Sequence, residues 1–403
     1  MRNHYDVIIV GGRCAGSAAA ISLGRAGFRV LLVERQKMPS DTISTHVLWP
    51  DGLSALRRLG ALDRALATGA PPTHHFRLCR GMDTLETPLT PFEGIDYFLC
   101  VRRHDLDGIL FDVALDTPGV DAFDETRFTE LIWENGRVSG ARLASVHGEY
   151  AISAGLVIGA DGRDSAVAKA AGASEDDVVE PGRYWYYGYF SNSSEPEPRA
   201  LTQSETETDT VATMLTSNGL RMVIYGAFNE DYGLFKQDHR ENYLQRVNAH
   251  PFIAEMLADA QLDSPVYGFA GVRGYYRDVV GNGWTLVGDA AHQKDPVVAR
   301  GITDALVGAE ELAAHLSGGV AEEALKRYAV QLRERTRTGS RMAKMMARPD
   351  RHMSASQAQT FGRELATSEG LARILGLEYD GVTQFDDLFM SERDEVVEAS
   401  AER

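Results

Sequence analysis

The stretch DVIIVGGRCAGSAAA, residues 6–20, constrains this chain more than any other. Four apolar residues, Val7 to Val10, run into glycines at 11 and 12, and small side chains follow. A buried strand turning sharply into a close-packed helix has this pattern. Residues 5–10 therefore read as a strand, 16–26 as a helix stopped by Gly27, and FRVLLVER at 28–35 as a second buried strand. A turn at a helix N-terminus presents free N–H groups and positive dipole to a pyrophosphate, provided no side chain blocks the approach. Gly11 and Gly16 fit G-x-G-x-x-G, but Arg13 occupies the place of the middle glycine. Its guanidinium would swing outward to a phosphate or to a neighbouring acidic residue. Glu34 ends the second strand where a carboxylate takes ribose hydroxyls and repels a 2′-phosphate. By itself the motif leaves NAD and FAD open, as well as a βαβ unit whose glycines only pack.

Charge narrows the partners. Lysines and arginines number 41 against 58 acidic residues, a net −17, which disfavours nucleic acid and anionic membranes and favours a small molecule. No apolar run approaches the ~20 residues of a membrane span, and VIIV is too short for the core of a signal peptide. Cys14, Cys79 and Cys100 lack C-x-x-C spacing, so reduced cytoplasmic thiols are expected rather than disulfides or a zinc site.

Further along, one helix is expected over 51–69 from Leu53, Leu56, Leu59 and Leu62, and another over 105–115. Asn135-Gly136 marks a hairpin. GLVIGADG at 155–162 and WTLVGDAAH at 284–292 read as buried strands ending in turns, and GRYWYYGYF, VATMLTS and RMVIYGAF as strands of a separate antiparallel sheet. After Pro296, residues 302–316 repeat apolar positions at three and four, and a further helix is expected over 321–346.

Singly, Asp161-Gly162 and Gly288-Asp289 are ordinary turns. In this order after a βαβ unit with Glu34, with RHDLD at 103–107 matching R-x-x-L-D, the motifs resemble the group A FAD-dependent monooxygenases, the p-hydroxybenzoate hydroxylase-like superfamily. The same scaffold is shared with geranylgeranyl reductase-like flavoproteins. The resemblance implies an α/β fold, a Rossmann-like FAD-binding domain interleaved with an antiparallel-sheet substrate domain. Residues 1–72, 101–180 and 270–346 would form the first and 73–100 with 181–269 the second, leaving 347–403 as a C-terminal helical segment and acidic tail. It also implies that FAD is held by Gly11, Arg13, Gly16, Glu34, Arg35, Arg103, Asp161, Asp289, Pro296, Gly301 and Ile302. Ala299 departs from the pattern, standing where a glycine is frequent.

In such enzymes NAD(P)H reduces the flavin, binding transiently, and oxygen forms a flavin C4a-hydroperoxide that hydroxylates an electron-rich ring shielded from water. The helix starting at Gly301 would favour the reduced, anionic flavin. A small or polycyclic aromatic metabolite is the expected substrate, stacking on Tyr186 and Tyr225, or else these are sheet core. His46 and His292 are the candidates for proton transfer. The competing reading is a reductase or dehydrogenase of the geranylgeranyl reductase type, although the Y-x-W-x-F-P segment is absent; a halogenase is disfavoured because W-x-W-x-I-P is missing.

Overall fold

A computed structural model describes residues 1–347. The expected tail at 347–403 lies outside them apart from Ala347.

The N-terminal βαβ unit nucleates the first sheet. Strand His4–Val10 lies at its centre, parallel to Val30–Val33 on one side and to Gly148–Gly159 on the other; Val120–Phe123 and Trp284–Leu286 extend the parallel order outward. All four residues of Val30–Val33 are buried, as a strand covered on both faces requires. Helix Cys14–Arg25 packs on this sheet beside helix Gly301–Leu316. Asn135 and Gly136, both at positive φ (50° and 75°), form the tight turn between strands Arg127–Glu134 and Arg137–Ser145. The helix expected over 51–69 is instead two, Pro50–Arg58 and Leu62–Leu66, because Gly60 at φ +78 breaks the backbone between them. Helix Glu322–Met346 begins one residue after its expected start.

The second sheet is built from Gln261–Leu262, Arg183–Ser191, Arg221–Phe228, Asp209–Leu215, Ala200–Glu205, His75–Arg80 and Asp83–Pro88 in that order. Side chains alternate between its faces. One face carries Tyr184, Tyr186 and Tyr225 into a core closed by helices Tyr232–Phe235, His239–Asn248 and Pro251–Met256. The other carries Trp185, Tyr187 and Tyr189 toward Val47, Trp49, Cys100 and Val298 and toward Met342 and Ala343 of helix Glu322–Met346. Among the described residues no helix is long and apolar enough to cross a membrane.

Candidate active site

The carboxyl ends of the parallel strands open onto a cavity of about 710 Å³, a size suited to an organic ligand. Its first wall is the glycine turn. A Cβ on Gly16 would lie 1.7 Å from the Gly11 carbonyl oxygen, and one on Gly11 2.4 Å from that of Ala160, so neither position admits a side chain. Glu34 lines the same end and braces the turn: one carboxylate oxygen accepts the Gly12 N–H at 2.8 Å, the other that of Gln36 at 3.0 Å. Arg35 borders it from the exposed side.

Of the two partners expected for Arg13, the structure shows the acidic one. Its guanidinium contacts Asp107 at 2.7 Å, Gln36 at 2.6 Å and the Ser40 hydroxyl at 2.9 Å, fastening the 36–41 loop to helix Arg103–Leu115. Asp107 is the residue that sequence reasoning missed, although it is the final letter of R-x-x-L-D. It is fully buried, binds Arg103 through both oxygens at 2.9 Å, and accepts from the Cys14 thiol. Arg103, so held, lines the cavity. Asp161 caps helix Ala166–Ala171, accepting the N–H groups of Ala166 at 2.7 Å and Val167 at 3.1 Å, while bordering the cavity.

Asp289 differs from these. No described residue donates to its carboxylate, which is accessible through the cavity and otherwise enclosed by protein. Enclosure raises its pKa, opposed by the charges of Lys294 and Arg103. Beyond it, Pro296 opens a short 3-10 turn, Ala299 adopts φ +51, and helix Gly301–Leu316 starts with no side-chain cap. The left-handed backbone explains why glycine is suited to position 299. Gly301 and Ile302 line the cavity, and a Cβ on Gly301 would meet nothing within 4 Å. A glycine turn, an unpaired carboxylate and a helix N-terminus without a side-chain cap thus border one cavity. This donor set fits FAD: N–H groups for phosphate, Asp289 for ribityl hydroxyls and the helix terminus for an electron-rich ring edge.

A smaller apolar chamber of about 80 Å³ adjoins it, sharing Thr45, Trp185, Ile224, Pro296 and Ala299. Strand register builds its floor. Trp185 pairs with Gly226, Gly226 with Thr210, and Thr210 with Glu205, so the four lie in one row on one face. The Trp185 ring lies across Gly226, where a Cβ would come within 2.3 Å of it. Met214, Met342, Phe76 and Trp49 close the remaining walls.

Tyr186 and Tyr225, expected to stack on substrate, lie on the opposite face of this sheet, packed at 4.9 and 5.4 Å from Phe235. The helices at 232–256 cover that face, so the aromatic residues that strand Arg183–Ser191 presents to the cavity are Trp185 and Tyr187, joined there by Phe128 and Phe269. His46 also departs from its expected role. It is fully buried at φ +64 and does not line the cavity; its Nδ1 donates to the Ser44 carbonyl at 2.8 Å, and its Nε2 accepts from the Tyr189 hydroxyl at 2.6 Å. Burial, then the Arg103 charge, lowers its pKa to about 3, which keeps it neutral. His292 does line the cavity, stacked 4.1 Å from Tyr276 with Nε2 unpartnered. Burial pushes its pKa well below the ordinary value.

Comparison with known proteins agrees with this geometry. The family described as FAD binding domain matches residues 4–344. Digeranylgeranylglycerophospholipid reductase of Methanosarcina mazei is 28% identical over 337 residues, 81% of this chain and 77% of that protein. 6-Methylpretetramide 4-monooxygenase of Streptomyces rimosus is 28% identical over 374 residues, 86% of this chain and 84% of its own. In fold, a triple mutant of the flavin-dependent brominase Bmp2 superposes with a TM-score of 0.83 at 17% identity, covering 98% of this chain and 100% of the other.

Proposed function

Because this chain belongs to the FAD binding domain family and is an FAD-dependent oxidoreductase, we propose that it is a monooxygenase using NAD(P)H and O2 to hydroxylate a small or polycyclic aromatic metabolite. The observation that carries this reading is the chamber beside the flavin-sized cavity, walled by Trp49, Phe76, Trp185 and methionines. At about 80 Å³ the chamber takes only one edge of a ring, so the substrate sits where it joins the larger cavity beside Trp185 and Ile224; the apolar walls and exclusion of water there suit ring hydroxylation. FAD, when bound, supplies two-electron redox chemistry and reacts with oxygen in its reduced form. The chain's own residues do the rest. Asp289 holds hydroxyl groups, the N-terminus of helix Gly301–Leu316 stabilises negative charge, and Trp185 with Tyr187 orients the substrate against the open end.

The reductase reading is supported by the apolar chamber too, since methionine and aliphatic walls accept an isoprenoid chain, and by the name of the archaeal relative. Supplying labelled O2, NAD(P)H and a panel of phenols, anilines, polycyclic aromatics and polyprenyl lipids separates the two. Label in a product supports the monooxygenase. Saturated product without label establishes the reductase and overturns the proposal.

A further inference from the structure

The apolar chamber has a single charged residue in its lining among the described residues, Glu205 on strand Ala200–Glu205, and the reading above gives it no role. Strand register places it. Trp185, Gly226, Thr210 and Glu205 form one row across four strands, so Glu205 stands three strand spacings, about 14 Å of backbone, from Trp185. The Trp185 ring spans the first gap by lying across Gly226, and Thr210 floors the next. The chamber thus runs from the cavity, at Trp185 and Ile224, to a carboxylate at its far end.

The partners of that carboxylate leave it available. Gln203 Nε2 donates to one oxygen at 2.6 Å; among the described residues none donates to the other, and no basic side chain stands within ion-pair distance. The charge of Arg183 reaches Glu205, but its guanidinium is held elsewhere, 4.1 Å from the centre of the Phe228 ring and 3.0 Å from the Met346 carbonyl. Asp295, the other acid near Trp185, differs. It is enclosed by protein, one oxygen accepts the Val297 N–H at 3.0 Å, and the Trp185 indole N–H stabilises its charge. Glu205 is only half-buried and opens onto the chamber. Around it, Trp49, Phe76, Met214 and Met342 offer ring faces and thioethers, which accept an alkyl chain and attract a cation. Apolar surroundings strengthen the pull of a carboxylate on a positive group, and the net charge of −17 draws cations to the molecule.

We propose that Glu205 selects substrates bearing a protonated amine: the ring lies at the junction beside Trp185, a slender alkyl arm threads the chamber, and the terminal ammonium pairs with Glu205. This rests on the monooxygenase reading and names its substrate class, the arylalkylamines. Register also sets the length of the arm. The two strand spacings beyond Gly226, about 9.5 Å, less an ion-pair contact of about 2.8 Å, leave room for roughly four methylenes. An arm of that width suits a chamber of about 80 Å³, which is too narrow for a whole ring.

The test is binding by the FAD-loaded full chain, read calorimetrically at neutral pH without NAD(P)H. Three phenols are compared that differ only at the tip of the arm: 4-(4-hydroxyphenyl)butylamine; 4-pentylphenol, in which methyl replaces the ammonium; and 5-(4-hydroxyphenyl)pentanoate, in which a carboxylate does. The wild type is expected to prefer the amine over 4-pentylphenol by roughly tenfold or more, and to bind the pentanoate most weakly. Glu205→Gln, which keeps the size of the side chain and an acceptor for Gln203, should erase the preference. Glu205→Lys should reverse it, making the pentanoate the tightest of the three, a swap that a merely structural role would not produce; if Glu205→Lys does not fold, Glu205→Gln decides. Equal binding of amine and 4-pentylphenol by the wild type, or survival of the preference in Glu205→Gln, overturns the proposal. The assay reads binding alone, so its failure is distinct from failure of the monooxygenase reading, which the labelled-oxygen experiment reports.

Discussion

Asp289 and His46 both belong to the expected site, yet their surroundings assign them different work. The Asp289 carboxylate faces the cavity without a donor, whereas His46 is sealed between Tyr189 and the Ser44 carbonyl. Asp289→Ala should therefore strip FAD during gel filtration, measured as flavin absorbance per protein, far more than His46→Ala does. Equal retention would count against Asp289 as a flavin ligand. Asp289 was legible only through the resemblance, because Gly288-Asp289 taken alone reads as an ordinary turn. His46 was not legible. Its neutrality comes from burial and from Arg103, a residue 57 positions away in sequence, and neither is encoded near STH. Asp295 escaped for a similar reason, since a carboxylate between lysine and proline reads as surface until the fold covers it.

At the scale of elements, helix Arg103–Leu115 meets the glycine turn through one buried carboxylate. Asp107 neutralises both Arg13, on the turn, and Arg103, at the helix start. Removing it leaves two guanidinium groups short of their counter-charge, and breaking a buried pair in this way costs about 3–5 kcal/mol. Asp107→Ala is expected to lose stability on that order in urea unfolding of the flavin-free protein, and to loosen the 36–41 loop, seen as faster proteolysis there. A loss under about 1 kcal/mol would show that the arginines find other partners. Alternation in RYWYYGYF made the two faces of that strand legible from sequence. Which face meets the cavity was not, because each carries three aromatic residues and the deciding element, the helical cover at 232–256, follows some forty residues later. Gly226 was the available clue: a glycine inside a strand marks a close approach, here the Trp185 ring.

For the whole molecule, the same burial that shapes the site sets how stability responds to acid. His46 has its pKa lowered to about 3 from 6.5 and His292 well below 6.5, so the unfolded chain binds protons that the folded one refuses. Their contribution is complete above pH 6.5 and is lost as pH falls through the window down to the folded values. Asp295 acts in the opposite sense. Its pKa, raised from 3.8 to about 6, makes the folded state the better proton binder between those values and partly offsets the histidines. Replacing His46 therefore tilts the curve rather than merely lowering it. In His46→Asn, which tolerates the left-handed backbone at this position, the loss of stability per pH unit below 6.5 should shrink by up to ~1.4 kcal/mol relative to the wild type. Urea unfolding of the flavin-free proteins across that window would show converging stabilities as pH falls. Parallel curves would mean that His46 titrates in the folded protein much as it does in the unfolded chain, and that the seal formed by Tyr189 and Ser44 admits water.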